Sequence, residues 1–136
     1  MRDALIIDDT AQEAIALGRM LATEGWRSTT CGNGDIALAM LDYQPFDLVV
    51  ADVVMEGMVG TALLDAIRST PARYFMPVVF VSAMPESRVR RIIAGDYTFL
   101  RKPLARAELM AAVSRASLRS LVATRPQPAD LHRPAR

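Results

Sequence analysis

Of the 16 lysine and arginine residues in this 136-residue chain, one is a lysine: Lys102, followed directly by Pro103. A lysine ammonium is a compact point charge on a flexible stem, whereas guanidinium is a planar fork, so a single lysine kept among arginines marks a place where the point charge is wanted. Acids stand at comparable places. Asp8 and Asp9 follow the apolar run 4–7, and Asp52 follows the apolar run 48–51. Ser82 closes a third run, 78–81, and Lys102 follows the strand-like stretch 97–101. The apolar runs have the length and flanks of buried parallel strands, and ligands of open α/β sheets bind just outside the strands' carboxyl ends. Anionic oxygens, a hydroxyl and one point positive charge therefore converge on a single rim, which suits a polar, charged ligand. Plainer readings exist for each residue: chance survival of one lysine, an ordinary strand-end serine, a helix cap plus a turn acid at positions 8 and 9. The last accounts for only one of the two aspartates.

The elements that must position these residues alternate strand and helix five times, the pattern of a parallel sheet covered on both faces. Strands are expected at 4–7, 26–31, 48–51, 78–81 and 97–101. A first helix over about 11–24 carries Ile15, Leu17, Met20 and Leu21 as its apolar set, is capped by Asp9 or Thr10, and stops at Gly25. Gly32-Asn33-Gly34 leads into a second helix over about 35–43, and Pro45 closes that region. A loop over 52–60 precedes a third helix at 61–69, stopped before Pro71. Pro85 fits the first turn of a short fourth helix with Val89, Ile92 and Ile93 inward and Arg88, Arg90 and Arg91 outward. The final helix, about 104–123, has Leu109, Ala112, Val113 and Ala116 as its inner stripe, and Leu118, Leu121 and Val122 extend its apolar character further.

Length and composition bound the rest. One domain is expected over 1–123, large enough to bury a core. The segment 124–136, with Pro126, Pro128, Pro134 and scattered arginine, reads as a flexible tail or linker stump. Hydrophobic residues at 51% and charged residues at 23% fit a soluble globular chain. No apolar stretch reaches the roughly 20 residues of a membrane span, and no secretory signal is visible, so a cytoplasmic location is expected. Cys31 is the one cysteine, which excludes an internal disulfide and reads as core packing. Net charge is +1 but lopsided: residues 1–60 hold 10 acids and 3 arginines, a balance of −7, leaving +8 on residues 61–136. That layout predicts an acidic rim and, around Arg88, Arg90, Arg91, Arg101, Arg106, Arg115 and Arg119, a basic surface that either meets a partner or is simply solvated.

Assembled in order, Leu5-Ile6-Ile7-Asp8-Asp9, Phe46-Asp47-Leu48-Val49-Val50-Ala51-Asp52, Pro77-Val78-Val79-Phe80-Val81-Ser82-Ala83 and Phe99-Leu100-Arg101-Lys102-Pro103 resemble the receiver domain of bacterial two-component response regulators over about residues 3–121. The resemblance implies a flavodoxin-like, doubly wound five-stranded parallel sheet. It implies Asp52 as phosphoacceptor, with Asp8, Asp9, Asp52 and the backbone carbonyl of Val54 holding Mg2+. Magnesium prefers carboxylate, carbonyl and water oxygens, and its charge would let three aspartates coexist. Lys102, the Ser82 hydroxyl and the Ala83 backbone N–H would bind the phosphoryl group, and Ser82 and Phe99 would act as the switch. The implied donor is a histidine kinase or histidine phosphotransfer protein, and the implied output is a protein partner or a second copy. Nucleic acid is not expected, because the arginines lack interleaved aromatics and no reading helix is evident. Beyond its own phosphoryl acceptance and a slow autodephosphorylation, no enzymatic activity is expected; the slowness follows from apolar Val54 and Met84 flanking the route of the attacking water.

Departures accompany the match. Glu56 stands where the family usually has proline and Val59 where it often has an acid, and the stretch from Ser82 to Lys102 is about two residues short, with the loss in the fourth helix. Other readings of the residues are a phosphorylation-independent pseudo-receiver, which typically lacks one or more of the acids or the lysine, and a hydrolase of the haloacid dehalogenase type, which would want an aspartate at Val54. A single-domain regulator is the expectation for this chain, with the receiver part of a longer regulator as the alternative.

Overall fold

The computed structural model describes residues 2–55 and 58–123, and the side chains among them other than those of 54, 55, 58, 59 and 123. The positions of Glu56 and of the tail 124–136 lie outside the described residues, as do the side chains of Val54 and Val59.

Five strands form one sheet: β1 (Arg2–Ile7), β2 (Trp26–Cys31), β3 (Leu48–Asp52), β4 (Val78–Ser82) and β5 (Thr98–Arg101), in the order β2-β1-β3-β4-β5 and parallel throughout. This is the flavodoxin-like arrangement. Between them run α1 (Ala11–Ala22), α2 (Gly34–Tyr43), α3 (Gly60–Ile67), α4 (Glu86–Ile92) and, after the last strand, α5 (Arg106–Ala123). Val54–Met55 and Met58–Val59 pair as a short antiparallel ribbon between β3 and α3.

The side chains of a strand alternate between faces, and here both faces are buried. Leu5, Ile7, Val49, Ala51, Val78, Phe80 and Phe99 join the core under α2, α3 and α4. Ala4, Ile6, Leu48, Val50, Val79, Val81 and Leu100 join the core under α1 and α5. Continuous apolar runs are what such two-sided burial demands.

Several local expectations need correction. On α1 the inward stripe is Ala14, Leu17 and Leu21; Ile15 lies about 100° away from Ala14 around the helix and is 51% exposed. Neither Asp9 nor the Thr10 side chain caps α1: Thr10 is the N-cap residue without a side-chain bond, and Asp8 Oδ1 instead accepts from the Thr10 N–H at 2.9 Å. Pro85 is extended at the N-cap of α4 rather than inside its first turn. The chain leaves α4 at Ile93, so Val89 and Ile93 reach the core and Ile92 is 42% exposed. α3 starts at Gly60 and ends at Ile67, earlier than expected, and α5 starts at Arg106. The stripe Leu109, Ala112, Val113 and Ala116 is buried as expected, and Asn33 caps α2 by accepting from Asp35 N–H at 2.7 Å and Ile36 N–H at 3.2 Å. The 3-10 turn Pro71–Arg73 was not anticipated. Its Arg73 is buried and pairs with Asp42, while the Arg68 guanidinium donates to the carbonyls of Arg73, Met76 and Asp96, tying the loops before β4 and β5 together.

Candidate functional site

Strand register brings the chemistry together. Ile7 lies opposite Ala51, Ala51 opposite Phe80, and Phe80 opposite Phe99. One step further along the same row come Asp8, Asp52, Val81 and Leu100; one more brings Ser82 opposite Arg101, with Lys102 next. The ladder bonds continue past the strand ends: Asp8 N–H donates to the Cys31 carbonyl at 3.0 Å, Val53 N–H to Val81 at 3.2 Å and Lys102 N–H to Ser82 at 2.8 Å. Backbone hydrogen bonds therefore fix the stems of Asp8 and Lys102 on the rim. The strand order reverses between β1 and β3, and Asp8 and Asp52 stand at that switch point, where crevices form in doubly wound sheets.

The Lys102 ammonium reaches back over the rim and donates to three carboxylates: Glu13 Oε2 at 2.9 Å, Asp8 Oδ2 at 3.3 Å and Asp52 Oδ2 at 3.4 Å. Burial alone would lower the lysine's pKa, but the hydrogen bond to Glu13 and the charges of Asp52 and Asp8 outweigh it and hold the pKa above the ordinary value. Asp8 is 3% exposed, and burial pushes its carboxyl up despite the Thr10 N–H and the Lys102 charge, which pull the other way. Glu13 is held below the usual carboxylate range, chiefly by its hydrogen bond to Lys102.

Carboxylate oxygens of Asp8, Glu13 and Asp52 lie within 4.8 Å of one another, close enough to hold a metal ion. One ammonium neutralises one of these three charges, and the buried Asp8 is the costliest to leave unbalanced. Hard oxygen donors with excess negative charge fit a small divalent cation. Glu13 was not singled out in the sequence. An acid in the first turn of a helix reads as a partner of the helix dipole; the one further signal was that α1 starts three residues after Asp8, and helical side chains lean toward the helix N-terminus, here toward the rim.

The remaining expected residues surround this group. Asp9 is exposed, and its carboxylate is not part of the converging group. Ser82 is buried at the end of β4, where its Oγ accepts from Met84 N–H at 3.1 Å. Ala83 follows it on the surface, its carbonyl accepting from Arg101 Nε at 3.1 Å. Phe99 is 8% exposed and packs in the core beneath α2, α3 and α4. Val54 lies in the short ribbon two residues after Asp52. Beside Lys102 is a cavity of about 390 Å3 lined by Glu13, Ala16, Leu17, Met20, Ala83, Pro103 and Leu104, an apolar slot between α1 and the chain entering α5.

Strand-end acids at a topological switch point, a lysine closing over them and a buried serine on the neighbouring strand have a counterpart among known proteins. Residues 4–114 match the family model described as "Response regulator receiver domain", and the chain belongs to that family. It is 33% identical over 122 residues to the sensory transduction protein RegX3 of Mycolicibacterium smegmatis, a match covering 88% of this chain and 51% of that protein. The chain thus spans about half the length of that relative. Among solved structures it resembles the receiver domain of NtrX from Brucella abortus, with 29% identity, a TM-score of 0.76 and coverage of 85% of this chain and 98% of that one. The chemotaxis response regulator CheY4 of Vibrio cholerae, at 23% identity and a TM-score of 0.76 over 85% of this chain and 98% of that one, shares the fold.

Proposed function

We propose that Asp52 accepts a phosphoryl group from a histidine kinase or a histidine phosphotransfer protein and that the resulting charge switches a protein-binding surface. A carboxylate oxygen of Asp52 attacks phosphorus in line with the leaving imidazole nitrogen; the P–N bond breaks, its electron pair stays on that nitrogen, and the nitrogen takes up a proton. Phosphoryl transfer needs little covalent work from the protein beyond positioning and charge neutralisation. The observation that carries the reading is Lys102 Nζ, 3.4 Å from Asp52 Oδ2 on a residue whose backbone N–H is bonded to the Ser82 carbonyl, so that the ammonium lies within reach of a phosphoryl group on Asp52. Asp8, Asp9, Asp52 and the Val54 carbonyl would hold Mg2+, with Glu13 close by. Bound there, the ion would neutralise charge on the phosphoryl oxygens. Ser82 Oγ and the Ala83 N–H are the groups that would close on the new phosphate, and Phe99 would follow Ser82. The phosphate favours that arrangement only by binding it better than the resting one.

The test is intact mass after incubation with acetyl phosphate. One phosphate is expected with Mg2+, none with EDTA and none on Asp52→Ala; uptake by Asp52→Ala would sink the assignment. Because Val54 and Met84 are apolar, neither orients a hydrolytic water, and the phosphoprotein is expected to last minutes or longer in isolation. Val54→Asn should shorten that lifetime several-fold, and a wild-type half-life of seconds in the same mass assay would contradict the account. No other catalysis is proposed, and the work of the chain is placed in the cytoplasm, where such donors act. Since the relative RegX3 is about twice as long as the matched stretch, a second reading makes this chain the receiver portion of a longer regulator.

A further inference from the structure

Given the acceptor role proposed for Asp52, we infer that Glu13 is a positioning residue for Lys102: it holds the ammonium in a resting arrangement that must be given up when a phosphoryl group arrives. An ammonium has three N–H donors and no more. Here Glu13, Asp8 and Asp52 take all three, and the Glu13 bond is the shortest at 2.9 Å. The resting lysine therefore has no donor left for a phosphoryl oxygen.

One bond has to open, and the three are not equivalent. The Asp8 side chain is fully buried and that of Asp52 18% exposed, whereas that of Glu13 is 45% exposed. Water can replace the lost partner of Glu13 but not that of Asp8, so the Glu13 bond is the cheapest to break. The two partners also come from different elements, Glu13 from α1 and Lys102 from the end of β5, so the bond ties the first helix to the last strand across the rim. Glu13 sets the fraction of molecules whose lysine is free to engage the phosphoryl group.

Removing the tether is therefore expected to favour the engaged lysine. Beryllofluoride, which occupies the place of the phosphoryl group on a carboxylate, is the probe, titrated by 19F NMR at saturating Mg2+. Glu13→Ala is expected to bind it about two- to tenfold more tightly than wild type, the size of one water-exposed hydrogen bond, and Glu13→Asp is expected to fall between the two. In a Lys102→Ala background the gain from Glu13→Ala should vanish, because Glu13 then has no ammonium to hold. A full gain in that background would mean that Glu13 acts by its charge alone and would overturn the positioning role. Unchanged or weaker binding by Glu13→Ala would overturn it as well. Failure of the underlying reading looks different: wild type itself would bind no beryllofluoride, or Asp52→Asn would bind it equally well.

Discussion

Asp8 is a buried carboxyl among other acids, and its ionised form is the unfavourable one in the metal-free protein. Its folded pKa is raised, so over the pH range upward from the ordinary 3.8 the native state keeps a proton that the unfolded chain has lost. Stability then falls as pH rises through that window. Asp8→Asn removes this dependence, and thermal melts in EDTA at neutral pH are expected to show it ~2–5 °C above wild type. Magnesium, held as proposed by these acids, is expected to narrow that gap. At about ten times its dissociation constant, a ligand specific for the native state adds about 1.4 kcal/mol, and Asp8→Asn should gain less than half of that. Equal pH slopes and equal gains from magnesium would mean that Asp8 takes no part. Asp8, Asp52, Ser82 and Lys102 were legible in the sequence because each directly follows or closes a strand. Glu13 was not, because its place depends on how α1 lies over the rim, and no local pattern encodes that.

At the scale of elements, the strands were legible because burial on both faces leaves a continuous apolar run. Helix faces were less so. A run such as Ile92-Ile93 does not tell where a seven-residue helix stops, and the exit from α4 at Ile93 turned Ile92 outward. Arg68 and Arg73 stand in no local pattern that marks them, yet they bond loop carbonyls and Asp42, partners that only the folded chain brings near. Close packing at the start of α3 is equally silent in sequence. A Cβ at Gly60 would lie 2.5 Å from Ile93 Cδ1 and 3.0 Å from the Val53 carbonyl oxygen; the first can swing away, the second cannot. Gly60→Ala is expected to cost about 1–3 kcal/mol in urea unfolding. At Gly18, within α1, the nearest atoms are 3.7 Å or further, so Gly18→Ala should instead add about 0.5–1 kcal/mol. The opposite ranking would contradict the packing described around α3.

Across the whole molecule, the arginines expected to form a basic surface are all exposed, and several are already engaged within the chain. Arg90 pairs with Glu86 and lies over the Tyr97 ring, Arg101 bonds the Ala83 carbonyl, Arg106 meets Glu24, and Arg119 bonds Asp96 and Tyr97. Arg88, Arg91 and Arg115 are exposed without an ion pair among the described residues. An acidic protein partner or a second copy docking there should bind more tightly with beryllofluoride and more weakly as salt rises. Sedimentation and pull-down of Arg88→Glu with Arg91→Glu are expected to lose that response; an unchanged response would put the output surface elsewhere, on the first helix. The role proposed for the whole molecule rests on Asp52 carrying the phosphoryl group. Its most direct test is chemical. After loading with acetyl phosphate and Mg2+, borohydride reduction converts an aspartyl phosphate to homoserine, and peptide mass mapping locates it. The account predicts homoserine at position 52 alone. Homoserine at position 8 or 9, reduced Glu13, or a phosphoprotein with position 52 intact would contradict it.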